Sequence, residues 1–450
     1  MSFDAVLIAN RGEIAVRIIR ACQALGIKAI QAHSEADADS LAARMADETV
    51  SIGPPPAAKS YLNIDSLIEA AKKTGADAVH PGYGFLAENG EFADAVVAAG
   101  LSFIGPSGDA IRLLGDKVAA RRVAAEAGVP TVPGSEGGID DMADARALVE
   151  TIGFPVMIKA AAGGGGRGIR IASSLEEFET AFPMAATEAT SSFGDGRLYV
   201  EKVIDPARHV EVQILGDGEH FVHCFERECS LQRRRQKVWE EAPAFDLPDK
   251  VRAAMCESAV ALARQVSYRG AGTVEYLYDP ATEAFYFIEV NTRIQVEHPV
   301  TEMITGIDLV QTMIRIAAGE SLPFAQEQIT YKGHAIECRL NAEDPAKNFM
   351  PWPGVIESVA IPEGSDVRFD SLLYDGYAVP PFYDSLLGKL IVYADDRAAC
   401  LERLGEVLGT MRIDGIPTTI PLHQKLAADA SVANGQFDTK FLESWLETAF

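Results

Sequence analysis

Two apolar spacings alternate along the first hundred residues. Ala5 to Ala9 is a short unbroken apolar run, and Ile14, Ile18, Ala21 and Leu25 then recur three or four apart within Arg11–Leu25, so the chain opens strand, turn, helix. Gly26 ends that helix. A second strand is predicted over Lys28–Ala32, a helix over Asp65–Lys73, and further strands over Ala76–Val79 and Ser102–Ile104, the last stopped by Gly105-Pro106. This βαβ rhythm predicts a parallel sheet with helices on both faces. No G-x-G-x-x-G follows the first strand, so a dinucleotide-binding reading is rejected.

After Gly115 the pattern changes. A helix over 117–127 leads into Gly128-Val129-Pro130 and a Gly/Pro-rich linker to a smaller unit. Phe154–Lys159 reads as a strand, and alternation over Leu198–Glu201 and His209–Leu215 predicts antiparallel pairing. Gly272–Tyr278 and Phe285–Asn291, separated by a turn at Asp279-Pro280, read as a β-hairpin. From Glu289 every odd position is polar through Arg293, Gln295 and Glu297, which in an extended chain puts all of them on one side. The last third mixes strands (Ala335–Leu340, Leu386–Tyr393) with a helix over Arg397–Gly409.

The 450 residues imply two to four domains, and 40 basic against 65 acidic residues give a net charge of −25. That field repels phosphate backbones and anionic bilayers, so neither nucleic acid nor membrane is an expected partner. The six cysteines show no C-x-x-C spacing, which argues against a zinc site or disulfide framework. The N-terminus carries no signal-peptide pattern and no apolar run spans a bilayer, so a cytoplasmic location is expected.

Positive charge is concentrated locally against this background. Five glycines lie among the six positions Gly163–Gly168, beside Lys159, and such a loop can either fold over phosphate oxygens or serve as a plain surface loop. It lacks the Walker order, since Arg167 precedes Gly168. Arg233-Arg234-Arg235-Gln236-Lys237 packs four cations into five residues, suited to a solvated face or to a phosphoryl clamp. Glu289 and Asn291 share a face; if Glu275 lies on that face of the partner strand the three form an oxygen set suited to Mg²⁺ rather than zinc, and otherwise they are the solvated outer face of a sheet. The shaped loop His80–Leu86 is open to a structural or a ligand-binding role, and neither a G-x-S-x-G elbow nor a Cys/His nucleophile pair is recognisable.

Together these segments resemble the biotin carboxylases of the ATP-grasp superfamily. The resemblance spans essentially the whole chain: IANRGEIA from Ile8, HPGYGFLAEN from His80, the Gly-rich loop, Glu226–Pro243, EVNTRIQVEHPVTEMITG from Glu289, GHAIECRLNAEDP from Gly333 and RIDGIPT from Arg412. It implies an α/β and α+β architecture: a Rossmann-like parallel-sheet domain over 1–114, an ATP-grasp domain over 115–332 with a mobile lid over about 131–203, and a mixed C-terminal domain over 333–450. It also implies ATP- and bicarbonate-dependent carboxylation of biotin through carboxyphosphate. Carried over by position, Lys117, Lys159, Gly165, Gly166, Glu201, Lys202, Ile204, His209, Leu277, Glu275 and Glu289 would contact ATP. Glu275, Glu289 and Asn291 would hold Mg²⁺ or Mn²⁺; Lys237, Arg293, Gln295 and Val296 would cradle bicarbonate. Glu297 would be the base, and Arg339 and Tyr83 would meet biotin.

Three positions depart from the family pattern: Arg235 stands where many members carry His or Asn, Ala162 replaces a lid glycine, and Ala24 replaces a Glu on a helix associated with dimer contacts. No Ala-Met-Lys-Met attachment signature occurs, so biotin is expected on a separate biotin carboxyl carrier protein, with a carboxyltransferase as second partner and a homodimer as the assembly. The resemblance points to the first half-reaction of an acyl-CoA carboxylase; the alternatives are a subunit of a two-subunit pyruvate carboxylase and a different ATP-grasp carboxylate ligase.

Overall fold

In the computed structural model, which describes residues 3–135, 137–160 and 169–450, the first strand (β1, Ala5–Ile8) is buried at every position. Burial on both faces is what a central parallel strand requires. It pairs with β2 (Lys28–Ser34) on one side and β4 (Ala78–His80) on the other, while β3 (Glu48–Gly53) and β5 (Ser102–Phe103) complete a parallel sheet in the order β3-β2-β1-β4-β5. The intervening helices bury the predicted stripes: Gly12–Ala24 through Ile14, Ile18, Ala21 and Cys22, and Ile64–Thr74 through Leu67, Ala70 and Ala71. The latter starts on the Asn63 cap and stops at left-handed Gly75.

The strand order reverses direction between β1 and β4, and the crevice at such a point is where α/β sheets place ligands. Asn10, just past β1, donates its Nδ2 to the carbonyls of Pro81 at 2.6 Å and Tyr83 at 2.7 Å. The loop comes this close because position 82 is glycine: its φ is +62°, and a Cβ there would meet the Asn10 side chain at 2.9 Å.

A small antiparallel sheet follows, with β6 (Val156–Ala160) between β7 (Arg170–Ala172) and β8 (Leu198–Lys202). Helices Met142–Ile152 and Leu175–Phe193 close its apolar core, built on Val149, Val156, Ile158, Phe178, Leu198 and Val200. The glycine run falls outside the described residues, and with it Gly165 and Gly166.

The largest sheet has eight strands. Its members are β9 (Arg208–Asp217), β10 (Phe221–Arg233), β11 (Gln236–Ala242), β12 (Arg269–Asp279), β13 (Ala284–Asn291), β14 (His334–Asn341), β15 (Val367–Ser371) and β16 (Leu386–Ala394), in the order β13-β12-β9-β10-β11-β14-β16-β15. It runs without a break across residue 333, through the β11–β14 pairing. The register between β10 and β11 shifts where Leu231 opposes Trp239 but Gln232 opposes Lys237, leaving Val238 as a bulge. Among the described residues no helix is long and apolar enough to cross a membrane.

One sequence expectation is corrected. Alternation does not continue as strand to Glu297: β13 ends at Asn291, the chain leaves the sheet, and Glu297 precedes the helix His298–Thr305, which Pro299 starts. Burial of His298, Val300, Thr301 and Ile304 against the sheet is what the helix gains by forming there.

Glu241 on β11 fastens the two halves of the large sheet to the C-terminal helices. Its carboxylate accepts from Trp239 Nε1 at 2.9 Å, Arg397 Nε at 2.6 Å and Nη2 at 2.9 Å, with His334 Nε2 at 3.0 Å. Burial alone would raise this carboxyl, but His334 and Arg397 hold it well below its ordinary range. A depressed native value means a stabilisation complete above the unfolded carboxyl range near ~4 and lost as pH falls below it. Glu241→Gln is expected to cost about 3–5 kcal/mol at pH 7 in urea unfolding. The gap from wild type should narrow as the pH is lowered towards ~3; a constant gap would refute the charge-based origin.

Candidate active site

The polar side chains converge because strands β13, β12, β9, β10 and β11 each turn one face toward the parallel-sheet crevice. The opposite face, with Val210, Val212, Ile214, Val274, Tyr276 and Val290, packs on the Asp249–Gln265 helix. On the inner face Glu275 stands opposite Glu211 and Glu289, Thr273 opposite Gln213 and Asn291, and Leu277 opposite His209.

Arg227 lies at the centre with no exposure. Its five N–H groups are all used: Nε to Glu211 at 2.7 Å, Nη1 to Gln213 at 2.8 Å and Thr301 at 2.9 Å, Nη2 to Gln295 at 2.7 Å and Thr273 at 3.2 Å. Lys237 is equally saturated. Its Nζ donates to Glu211 at 2.5 Å, Glu275 at 2.8 Å and Glu297 at 2.7 Å.

These cations set the charge states. Burial works to raise the carboxyls of Glu211, Glu275 and Glu297, but Lys237 together with Arg227, His209 and Arg339 around them holds all three below their ordinary range. Burial likewise opposes charge on His209, yet Glu275 at 3.3 Å, with Glu211 at 3.5 Å, raises it to about 9. Glu289 is raised by burial and by Glu275 across the hairpin, against the weaker pull of Lys117 and His209. Asn291 and Gln295 each donate to Glu275, at 2.8 and 3.0 Å.

Next to this cluster lies a cavity of about 540 Å³, lined by residues that include Tyr83, Lys237, Val296, Arg339, Phe349 and Phe382. Arg339 bridges the two regions: Nε bonds Glu240 at 2.6 Å and Nη2 bonds Glu297 at 2.9 Å. Lys389, fully buried, fixes the neighbouring backbone by donating to the Val296 carbonyl at 2.6 Å.

Comparison with known proteins agrees with this geometry. Residues 2–111 match the biotin carboxylase N-terminal domain, 116–325 the carbamoyl-phosphate synthase L chain ATP-binding domain, and 337–444 the biotin carboxylase C-terminal domain. Biotin carboxylase of Pseudomonas aeruginosa is 51% identical over 98% of both chains, and biotin carboxylase 1 of Bacillus subtilis 50% identical over 98% of both. The chain belongs to the biotin carboxylase family. The biotin carboxylase domain dimer of Hydrogenobacter thermophilus 2-oxoglutarate carboxylase, in complex with MgADP, ADP and bicarbonate, superposes at a TM-score of 0.91 with 45% identity, covering 100% of this chain and 99% of that one.

In this carboxylase most of the residues singled out from the sequence face one space. Glu275, Glu289, Asn291, Gln295, Glu297, Lys237, His209 and Leu277 belong to the inner face or the segment leaving it. Arg293 reaches the site's edge, bonded to Glu88 at 2.9 Å and Asn291 at 2.9 Å. Lys117, the exposed first residue of its helix, acts electrostatically on Glu289. Glu201 is held between Lys159 and Arg121, each at 2.5 Å. Lys202 instead donates to the Phe154 carbonyl at 2.6 Å, and half-buried Ile204 lies in the link from β8 to β9.

Sequence reasoning missed Glu211, Arg227, Glu240 and Lys389. His209, Glu211 and Gln213 alternate on β9, a signal that was available. Arg227, by contrast, sits among Glu226 and Glu228 with nothing in the spacing to mark which one faces inward. Replacing Arg227 by Lys leaves three donors for five acceptors and should cost about 1–3 kcal/mol for each acceptor left bare. Thermal unfolding of Arg227→Lys checks this, and an unchanged midpoint would contradict it.

Proposed function

We propose that the residues described above carry out biotin carboxylation in the following roles. The observation that carries the assignment is Glu297, whose two oxygens bond Lys237 on the nucleotide side and Arg339 on the cavity side. A base in that position touches both half-sites of the reaction.

Glu275, Glu289 and Asn291 are oxygen donors at facing hairpin positions, a set that fits Mg²⁺ or Mn²⁺. Glu289 stands opposite Glu275 and its side chain has no hydrogen bond or ion pair among the described residues, which leaves its oxygens open to a cation. Bound, the metal would screen the ATP phosphates and polarise them. His209, Lys159, Glu201, Lys117, Leu277 and Ile204, with Lys202, Gly165 and Gly166, make up the nucleotide side.

Bicarbonate is held by Lys237, Arg293, Gln295 and the Val296 backbone. The low carboxyl of Glu297 keeps it ionised at neutral pH, ready to take the bicarbonate proton as the oxygen attacks the γ-phosphorus. Carboxyphosphate and ADP result. Its breakdown to CO₂ and phosphate occurs beside the cavity, where phosphate takes the biotin N1′ proton and Arg339 stabilises the ureido oxyanion, with Tyr83 on the opposite wall. The biotin arrives on a separate carrier protein in the cytoplasm, a carboxyltransferase passes the carboxyl to an acyl-CoA, and the subunit works as a homodimer. The relative from Hydrogenobacter serves a 2-oxoglutarate carboxylase, so the final acceptor belongs to the partner.

The test is ADP release with MgATP and free biotin, with and without bicarbonate. Release should depend on bicarbonate, and Glu297→Gln should lower it by about 10²–10⁴-fold. Release indifferent to bicarbonate, or an unaffected variant, would move the assignment to a different ATP-grasp ligase.

A further inference from the structure

Glu240 and Glu337 stand directly opposite each other on β11 and β14, and neither has any exposure. Neither lines the cavity. Glu240 accepts Arg339 Nε through one oxygen, but its Oε2 has no hydrogen-bond partner, and both oxygens of Glu337 also lack one among the described residues. Two buried carboxyls side by side with three bare oxygens do not both ionise; one proton between them removes the repulsion and supplies a donor.

The charges around the pair are Arg339 on β14, Lys237 on β11, Lys389 on β16 and Glu297 before the His298–Thr305 helix, and the uncharged titratable neighbours are Tyr83 of the crevice loop, Cys229 on β10 and Cys338 on β14. Glu13, on the Gly12–Ala24 helix, lies behind Lys389 at 3.3 Å. Burial drives Glu337 well up against the pull of Lys389, and burial raises Glu240 to about 7 against the pull of Arg339. Arg339 Nη1 makes no hydrogen bond among the described residues, and Arg339 lines the cavity.

We propose that Glu240 and Glu337 share one proton and are positioning residues for Arg339, Glu240 gripping its Nε edge so that Nη1 stays turned to the cavity. The inference rests on the biotin carboxylase reading above. It explains how Arg339 keeps its place through the reaction. When Glu297 takes the bicarbonate proton, it ceases to be an anionic partner for Arg339, and Glu240 remains as the one that does not change. Losing the Glu240 charge frees the guanidinium, so the biotin step should gain rate as pH rises through the ionisation of the pair.

The experiment uses the full chain with MgATP, bicarbonate and free biotin from pH ~6 to ~9, the range that brackets Glu240's ionisation at about 7. In Glu240→Gln, kcat for biotin-dependent ADP release should fall at least about tenfold with KM for ATP little changed, and the rise in kcat/KM for biotin near neutral pH should disappear. In an Arg339→Lys background the same substitution should cost less than about threefold, since both act through one group. Losses that multiply, or a pH profile that keeps its rise, would overturn the positioning role. Infrared spectra of the wild type at neutral pH should show a protonated carboxylic acid band that Glu337→Gln removes. Absence of any such band in the wild type would overturn the shared proton even if the variants did not fold. Wild type that ignores biotin altogether would instead refute the functional reading, and the infrared result would still decide whether the pair holds a proton.

Discussion

A guanidinium with no access to water needs an acceptor for every N–H it carries, and Arg227 obtains all five from two neighbouring strands and from the segment around the His298–Thr305 helix. That requirement ties β9, β10 and β12 to Gln295 and Thr301, and so fixes the departure of the chain from the sheet after Asn291. Lys237 imposes the same demand one layer nearer the cavity, drawing Glu211, Glu275 and Glu297 to a single point. The site is thus a set of mutually neutralised charges whose desolvation is tolerable only while all partners are present. The cluster is polarised in advance of any ligand, with Glu297 held below its ordinary range by its cationic neighbours and His209 raised by Glu275.

The eight-stranded sheet makes this possible by keeping its two faces chemically distinct. On the β11–β14–β16 side, Trp239, Cys338, Leu340, Leu390 and Val392 enter the large C-terminal core, while Glu240, Glu337, Arg339 and Lys389 turn to the opposite, polar face. The parallel sheet supplies the opposing wall through Asn10 and the Tyr83 loop, which its strand order places at the crevice. The two sheets are joined there by ionic contacts as well, Lys389 with Glu13 and Arg17 with Glu302 at 2.8 Å.

Much of this could be read from residue spacing alone. The βαβ alternation of the first hundred residues and the hairpin that carries Glu275, Glu289 and Asn291 are local patterns, and local patterns survive in sequence. The grouping of Arg293, Gln295 and Glu297 with them was also legible, although the reason was a turn into a helix and not a longer strand. What escaped were residues whose role is set by pairing between distant segments. Glu240 and Glu241 are adjacent and chemically identical, yet one grips Arg339 and the other Arg397 across opposite faces. Alternation puts them on opposite faces but does not say which face is which; the pairing with β14 decides that.

The bulge at Val238 has a consequence for how this chain can vary. Strict alternation would place Lys237 with Trp239 and Glu241, on the C-terminal core side; the extra residue is what brings it round to join Glu240 and Glu297. The β10–β11 hairpin closes over Arg234 and Arg235, both in the left-handed region at φ 49° and 67°, so no slack in the turn could absorb a change of length. Side-chain contacts do not constrain the two turn residues, since neither has a hydrogen bond or ion pair among the described residues, and only their positive φ limits what can stand there. Spacing is held more tightly. Between Arg227 and Glu240 the number of residues is itself a constraint, and a single insertion or deletion there would interchange the cation of the buried carboxylate cluster with a tryptophan of the core.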